Sequence, residues 1–237
     1  MPDFSTRSND IEIMDDLNCQ GEVVDQTLRE LEVINKLLGG NYVTIDGIEK
    51  LLKNKNGSTP ISICDLGCGG GDILKLIAQW ANRKNKSLKL TGIDANPNII
   101  TFANDNCKTY PQIEFEAVDI FSDQFKSRKY DVIIGTLFFH HFSSEQLASF
   151  FKQIRKQVAI GIVINDIHRH WFAYHSIKLL TRIFSKSAMV RFDAPLSVLR
   201  AFKKRELIQI MQQAGIENYT IKWMWAFRWQ LCIKTLA

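Results

Sequence analysis

The sequence predicts an α/β fold, in which a doubly wound, mostly parallel sheet of seven strands carries helices on both faces. From residue 59 onwards, short β-branched runs alternate with amphipathic segments, which is typical of parallel strands joined by crossover helices. The runs 61–65, 130–134 and 158–164 are largely apolar, as expected of strands covered on both sides. A closing pair of β-rich runs predicts that the last strand is reversed.

The predicted elements follow one another in regular order. Strands are expected at 61–65, 88–93, 113–117, 130–134 and 158–164, and the helices between them at 73–82, 99–107 and 145–156. A helix over 203–214 leads into two further strands, 219–225 and 227–234. Because only a tight turn around Ala226 separates these two strands, they are expected to run antiparallel.

Residues 1–58 precede the first strand and are expected to form an arm followed by lid helices. The polar and acidic stretch 1–18 predicts a flexible or loosely docked arm. Apolar residues recur at helical spacing over 22–38 and 43–53, with Gly39-Gly40 between the two helices and a polar connector over 54–59. Side chains of the lid helices either reach the site or serve the structure alone; the candidates are Arg29, Asn35 and Lys36.

Composition limits the class of protein. The 237 residues suffice for one domain with an appended lid. We see no apolar run of membrane-spanning length and no apolar segment of a secretory signal near the N-terminus. The five cysteines are odd in number and scattered, which favours a reduced, cytoplasmic setting. The net charge of +5 is concentrated in residues 168–205, which hold nine Lys or Arg and one acid.

A glycine turn follows the first predicted strand, in the run Asp65-Leu66-Gly67-Cys68-Gly69-Gly70-Gly71-Asp72. At the carboxyl end of a parallel strand, such a turn lies at the ligand crevice. A dinucleotide fingerprint would need glycine at position 72, which is aspartate, and this counts against an NAD-dependent oxidoreductase. Carboxylates on both sides of the turn suit a positively charged ligand, such as a sulfonium that also carries an α-ammonium group.

Two more acids end successive strands. Asp94 follows the second strand, where a carboxylate can accept both hydroxyls of a ribose. Asp119 follows the third strand and suits the exocyclic amine of an adenine, with Ile120 packing on the ring. Any one of these acids is common in a loop, but their repetition at successive strand ends predicts a nucleoside site.

These motifs resemble the seven-stranded, Rossmann-like (class I) methyltransferases that use S-adenosylmethionine and release S-adenosylhomocysteine. The resemblance rests on 65–71, on Gly92-Ile93-Asp94, on 118–120 and on 130–134, and spans about residues 60–165. It implies that the backbone of Gly67 and Gly69 lies by the methionine part, that Asp94 holds the ribose and that Asp119 meets the adenine. Asp65 would act near the ammonium group, directly or through water. The other implied cofactor contacts are Cys68, Ala95, Ile120, Thr136 and Leu137.

The segment after the fourth strand reads Leu137-Phe138-Phe139-His140-His141-Phe142. It lacks the Asn/Asp-Pro-Pro-aromatic motif of enzymes that methylate planar amino groups. It is similar instead to small-molecule methyltransferases of the ubiquinone and menaquinone biosynthetic type. This resemblance implies a hydrophobic, phenolic or quinone-like acceptor, with methylation of oxygen favoured over carbon.

Four residues are candidates for catalysis. His140 or His141 could take a proton from a phenol, or both could be structural, with one capping a helix and one packing on the cofactor. Asp166 and His168, after the fifth strand, could act as a base or as an orienting pair. Asn165 and Asp166 resemble two of the magnesium ligands of catechol-type methyltransferases. Those enzymes also need an acid just after the fourth strand, where this sequence has Gly135-Thr136, so no metal is expected.

The sequence is compatible with several roles for the insert 167–202. It could be a lid helix with one face on the core, or a wall for a greasy acceptor whose cationic face rests on an anionic membrane. An alternative is an RNA methyltransferase that grips nucleic acid with 168–205, although the modest net charge counts against it. The cations that could meet an anionic group of the acceptor are Arg191, Arg200 and Lys203. A non-catalytic nucleoside binder also remains possible on the fold alone, and no oligomeric state is predicted.

Overall fold

The computed structural model describes residues 2–53 and 59–235. The strands are β1 (Ile61–Leu66), β2 (Leu88–Asp94), β3 (Ile113–Ala117), β4 (Tyr130–Thr136), β5 (Val158–Ile167), β6 (Tyr219–Met224) and β7 (Arg228–Lys234). The helices are α1 (Glu22–Leu37), α2 (Gly40–Leu52), α3 (Asp72–Arg83), α4 (Pro97–Asn106), α5 (Asp123–Lys126), α6 (Ser144–Ile154), α7 (Trp171–Phe184), α8 (Ala188–Arg200) and α9 (Lys204–Gln213). Short 3₁₀ turns cover Ile13–Asp15 and Phe139–His141. Of the predicted connector 54–59, residues 54–58 lie outside the described residues.

The seven strands form one sheet in the order β3-β2-β1-β4-β5-β7-β6. All pairs are parallel except those of β7, which runs antiparallel to both β5 and β6. The predicted doubly wound fold and reversed last strand are therefore confirmed. The chain winds outwards from β1 to β3 and then returns to β4, so the carboxyl ends of β1 and β4 flank the crevice where such sheets bind ligands.

Helices cover the sheet on both faces, because the central strands carry apolar side chains on both faces and these must be buried. One core packs α5, α6 and α9 against the sheet, with Phe125, Phe150 and Phe151 fully buried. The other packs α2, α3 and α4 against the opposite face, around Ile48 and Leu74. Two cores on one sheet fix the strand ends, and so the crevice, in a rigid frame.

Two predicted boundaries change. β5 continues to Ile167 rather than ending at 164, because β7 pairs with it as far as Ile167↔Arg228. Asn165 and Asp166 are thus inside a strand, where successive side chains point to opposite faces. α2 begins at Gly40, earlier than expected, because Gly39 takes the left-handed backbone (φ 70°) that ends one helix and lets the next begin at once.

The N-terminal arm is docked, which corrects the expectation of a loose segment. The Arg7 guanidinium donates to the carbonyl oxygens of His140 and Phe142 at 2.8 Å each. Asp193 of α8 accepts hydrogen bonds from the backbone N–H groups of Ile13 (2.8 Å) and Met14 (3.1 Å). These partners lie more than a hundred residues away in the chain, so no local pattern in the arm could reveal them.

The insert forms two helices, α7 and α8, where a single lid helix was one expectation. α8 packs against α1 and the arm, whereas much of α7 faces outwards. Among the described residues, no helix is long and apolar enough to cross a membrane.

Candidate functional site

A cavity of about 1160 Å³ lies at the carboxyl ends of β1, β2 and β4, under the arm, α1 and the insert. Its walls include every predicted cofactor contact, namely Asp65, Gly67, Cys68, Gly69, Asp94, Ala95, Asp119, Ile120, Thr136 and Leu137. His140 and His141 also line it. Asp166 and His168 do not line the cavity, so the structure brings together all but two of the predicted site residues.

The glycine turn needs glycine for two reasons. Gly67 and Gly69 have φ angles of 64° and 51°, in the left-handed region that favours glycine. A Cβ atom on Gly67 would also lie 2.1 Å from the Phe138 ring. The turn therefore lets the backbone pack directly against the Phe138 ring, which follows β4.

The buried acids around the turn oppose one another's ionisation. Burial raises the pKa of Asp65 well above its ordinary value, and the charges of Asp72 and Asp94 raise it further. Burial also raises the pKa of Asp72 to about 6, with a contribution from Glu32. One oxygen of Asp65 and one of Asp72 are buried without a hydrogen-bond partner among the described residues. A cationic ligand such as an ammonium or sulfonium group would relieve this repulsion.

Asp94 and Asp119 stand at the ends of neighbouring strands, as expected. Asp94 accepts hydrogen bonds from the backbone of Gly69 (3.4 Å) and Asn96 (3.0 Å), so it faces the glycine turn directly. Asp119 accepts one from the Phe121 N–H at 2.9 Å and remains exposed to the cavity. Ile120 beside it is buried and can pack on a flat ring.

The two cofactor candidates at the end of β4 have different roles in the wall. The Thr136 hydroxyl forms a hydrogen bond with the Thr44 hydroxyl of α2 at 2.8 Å. Leu137 adopts a left-handed backbone (φ 55°), which costs a non-glycine residue about 1–2 kcal/mol. Its N–H donates to the Asn165 carbonyl at 2.8 Å, and such enforced backbone is typical of binding sites.

His141 lies in the cavity wall and is paired with a carboxylate of the arm. Its Nδ1 lies 2.6 Å from Asp15 Oδ1, and the side chain is about one-fifth exposed. Arg200 donates to Asp15 Oδ2 at 2.5 Å and to the His141 carbonyl at 2.9 Å. Burial alone would raise the pKa of Asp15, but the hydrogen bonds from His141 and Arg200 outweigh it and hold that pKa below its ordinary value. An ionised Asp15 keeps the proton on Nδ1 and leaves Nε2 as the acceptor.

His140 is locked in the protein interior. Its Nδ1 lies 2.8 Å from Asp166 Oδ1, and its backbone N–H donates to Asp166 Oδ2 at 3.1 Å. On the other side, Nε2 lies 3.6 Å from Glu12 Oε1, and both residues are almost fully buried. Burial raises the pKa of Glu12 to about 7, although the charge of His141 opposes this rise. Asp166 therefore holds the His140 ring and backbone in place, although Asp166 does not itself line the cavity.

His168 packs away from the cavity. Its ring lies against Trp229, with centroids 4.8 Å apart, and burial lowers its pKa to about 4, with further contributions from His170 and Arg169. Asp166 points to His140 instead, so Asp166 and His168 do not form the predicted pair. Asn165, which donates to Gly40 O at 2.8 Å, faces the opposite side of β5 from Asp166.

Three side chains, Glu12, His140 and His141, form a cluster that could offer ligand atoms to a metal ion. Possible ligand atoms of Glu12, His140 and His141 lie within 4.8 Å of one another. However, the Arg200 Nη1 atom lies 3.4 Å from Glu12 Oε1. The guanidinium thus supplies the positive charge that a metal would bring to the same carboxylate.

Among the cavity-wall residues that sequence reasoning missed, Glu12, Asp15 and Arg228 carry ionisable groups that bear on the site. The two acids belong to an arm whose docking has no local signal. Arg228 had a signal that was overlooked, because it is a cation at the start of a strand that is otherwise buried. Of the lid residues, Asn35 lines the cavity, while Arg29 lies over the Phe102 ring.

The chain was compared with known proteins. A family model described as "Methyltransferase domain" matches residues 63–161. A curated relative, the phosphoethanolamine N-methyltransferase of Plasmodium falciparum (isolate 3D7), is 26% identical over 130 residues, which cover 53% of this chain and 47% of the relative. The chain thus spans about half the length of that relative.

Solved structures share the fold over most of the chain. The plantazolicin methyltransferase BpumL in complex with SAH has a TM-score of 0.65 at 18% identity, covering 89% of this chain and 90% of that one. Human N-acetylserotonin methyltransferase in complex with SAM has a TM-score of 0.63 at 16% identity, covering 90% of this chain and 56% of that one.

Fold, glycine turn and acidic strand ends agree with these comparisons. The matched residues 63–161 contain the glycine turn and the strand-end acids Asp65, Asp94 and Asp119, and all of these line one cavity. Residues 63–161 therefore match a methyltransferase domain, and the chain has the fold of methyltransferases solved with S-adenosylmethionine or SAH bound.

Proposed function

We propose that this protein methylates a hydroxyl oxygen of a hydrophobic, phenolic or quinone-like small molecule, with His141 as the general base. The observation that carries the proposal is the Asp15–His141 pair in the cavity wall. Its imidazole is accessible, oriented by a carboxylate and held by Arg200. Methyl transfer to a phenol needs such a base, because the attacking oxygen loses its proton.

The cofactor supplies an electrophilic methyl group on a sulfonium. The residues of this chain supply the rest: the glycine turn and its acids orient the cationic ligand, and the apolar walls exclude water from the reacting atoms. His141 Nε2 receives the hydroxyl proton, and Asp15 stabilises the imidazolium that forms. His140, between Asp166 and Glu12, fixes the position of the turn that carries His141.

The acceptor end of the cavity is apolar and aromatic. Its lining includes Phe172, Ile177 and Leu180 of α7, and Trp225 and Phe227 beside β7. Flat rings pack well on such edges and faces. These walls support a hydrophobic aromatic acceptor better than a strongly hydrated one.

The test is a radiolabel transfer assay with purified protein, S-adenosyl-[methyl-³H]methionine and three acceptor panels. The panels are phenols and quinols, phosphoethanolamine, and RNA. Transfer to the hydroxyls of the first panel, lost in His141→Ala, supports the proposal. Transfer to phosphoethanolamine or RNA alone would replace it. NAD in a parallel calorimetric titration should not bind.

The basic stretch 168–205 gives less support to the RNA alternative. Arg169 is fully buried and paired with Glu206 at 2.6 Å, and Arg200 is buried beside Asp15. Arg191 turns back to the Ser185 carbonyl. These three cations serve the interior, so the stretch does not present all its charge to a polyanion.

We further propose that the outer face of α7 rests on an anionic lipid surface, from which an apolar acceptor enters. The helix exposes large apolar side chains, namely Trp171, Phe172, Leu179, Leu180, Ile183 and Phe184. Lys178 and Arg182 are exposed on the same helix, and residues 167–192 contain no acid. This combination of apolar and cationic side chains suits an interfacial helix, and Phe172 and Leu180 also line the cavity.

Flotation with phosphatidylglycerol vesicles at low salt tests the membrane contact. Wild-type protein should float, and Leu179→Ser with Phe184→Ser should not, whereas Leu37→Ser, an exposed site on α1, should float normally. Absence of wild-type flotation, or a light-scattering mass of a dimer that the α7 variants abolish, would contradict it.

The free cysteines of the chain (Cys19, Cys64, Cys68, Cys107 and Cys232) are consistent with the cytoplasmic setting expected.

A further inference from the structure

Arg228 is a buried cation in the cavity wall that the reaction described above does not use. It opens β7, is 5% exposed and lines the cavity. Its Nη2 donates to Asn35 Oδ1 at 3.0 Å. Its Nη1 is buried without a hydrogen-bond partner among the described residues. No salt bridge joins it to a carboxylate in the part of the chain that the structure describes.

A guanidinium in this position is unfavourable for the empty protein. Burial of an ion without a counter-ion is strongly destabilising, because its hydration is lost and nothing replaces it. Burial lowers the pKa of Arg228 to about 10, even though the charge of Asp166 opposes the shift. Gly40 makes room for the group, because a Cβ there would lie 3.1 Å from Nη2. The site therefore holds a buried positive charge that forms no ion pair with a carboxylate of the described residues.

The other cations predicted to meet an anionic acceptor either have hydrogen-bond partners within the protein or lie outside the cavity wall. Arg200 is bonded to Asp15 and the His141 carbonyl, and Arg191 to the Ser185 carbonyl. Neither Arg191 nor Lys203 lines the cavity. Among these basic residues, Arg228 alone has a free donor nitrogen in the wall.

We propose that Arg228 binds a carboxylate-type anionic group of the acceptor. This inference rests on the proposed function, since it adds a second recognition group to the same acceptor pocket. A guanidinium can bind a carboxylate with two parallel hydrogen bonds, which fixes orientation as well as position. Trp225 and Phe227, next to Arg228, also line the cavity, so the anion would lie beside an aromatic wall.

The methionine carboxylate of the cofactor is a second source of the same chemistry. The sheet order places β4 and β5 between β1 and β7. At about 4.8 Å per strand, three strand spacings separate the glycine turn from Arg228 by roughly 14 Å. The acids of the glycine turn, which attract the cofactor's ammonium group, therefore lie at the far side of the cavity. This separation favours the acceptor as the source.

The experiment uses calorimetry on full-length protein saturated with S-adenosylhomocysteine. The probes are 4-hydroxybenzoate and its uncharged analogue 4-hydroxybenzamide. Wild-type protein should bind the acid at least tenfold more tightly than the amide. Arg228→Met should abolish that preference, and Arg191→Met, which removes a cation outside the cavity, should retain it. Equal binding or no binding of both probes by wild type, or a preference that survives in Arg228→Met, would overturn the proposal.

Two controls separate the possible failures. Affinity for S-adenosylhomocysteine should stay within twofold in Arg228→Met; a loss of tenfold or more would assign the arginine to the cofactor carboxylate and overturn the acceptor assignment. The ligand-free Arg228→Met variant should unfold at the same or a higher temperature than wild type. If it does not fold, Arg228→Lys, which keeps the charge but loses the planar fork, should weaken the acid preference. Anion binding is measured without turnover, so it can succeed even if hydroxyl methylation fails.

Discussion

The cofactor half and the acceptor half of the cavity are built in different ways. The cofactor half consists of the glycine turn and the ends of β1, β2 and β3, all within about sixty consecutive residues. The acceptor half combines the arm, the turn after β4, the insert and the β6–β7 hairpin, which come from both ends of the chain. The first is a local motif on a rigid sheet, and the second exists only when distant segments pack together.

Because the two halves are built separately, we expect cofactor affinity to depend on one half and turnover on the other. Damage to the cofactor half should change cofactor affinity, whereas damage to the acceptor half should change turnover and leave cofactor affinity intact. The variants below probe that separation.

The largest effect is expected at His141. His141→Ala should lower turnover on the order of 100-fold, as loss of a general base usually does, with unchanged affinity for S-adenosylhomocysteine. Asp15→Asn should act in the same direction, because it removes the charge that orients the ring. His168→Ala, off the cavity, is the matched control. Equal effects at both histidines in steady-state assays would show that His141 is not the base.

Asp94→Ala should come next. Removing a charged hydrogen-bond acceptor from buried hydroxyls should weaken cofactor binding by about 1–3 kcal/mol, measured by calorimetry. The exposed Asp105, which pairs only with Lys108 among the described residues, gives the control Asp105→Ala. Unchanged affinity in Asp94→Ala would remove the assignment of this acid to the ribose.

Loss of arm docking should have a smaller effect, confined to the acceptor half. Arg7→Ala removes hydrogen bonds to His140, Phe142 and Arg200 and should lower the free energy of unfolding by about 1–3 kcal/mol. Limited proteolysis should then cleave within residues 2–16, and turnover should fall more than cofactor affinity. Intact resistance to protease would mean that the arm is held mainly by Asp193.

The smallest effect is a pH dependence of cofactor binding. The pKa of Asp72 is raised from 3.8 to about 6 in the folded protein, mainly by burial. Between these values the unfolded chain has lost a proton that the folded protein keeps, so this group's contribution to stability falls as pH rises from about 4 to 6. A cationic ligand favours the ionised form, and affinity should rise severalfold over the same window.

Calorimetry in two buffers of different ionisation enthalpy measures the protons released when S-adenosylhomocysteine binds. Release near pH 5.5 should shrink in Asp72→Asn. An affinity that is flat between pH 4.5 and 7 would show that the acids at the turn do not respond to the ligand's charge.

Several expectations held because they depended on local chemistry. The strand–helix alternation predicted the strand positions, because the spacing of apolar residues is set over short stretches of chain. The glycine turn and the strand-end acids were found because parallel strands bring their carboxyl ends to one edge. The loose arm and the Asp166–His168 pair were wrong, because both depended on which distant surfaces meet.

The sequence by itself determined the doubly wound sheet, the glycine turn and the acids that line the cavity beside it. Each of these follows from periodicity and residue type over short stretches, which act before any long-range contact forms. Only the tertiary structure decided which histidine is accessible, that Asp15 orients it and that Arg228 is buried without a counter-ion. Those facts depend on packing between segments that are more than a hundred residues apart, and packing of that kind leaves no periodic trace in the chain.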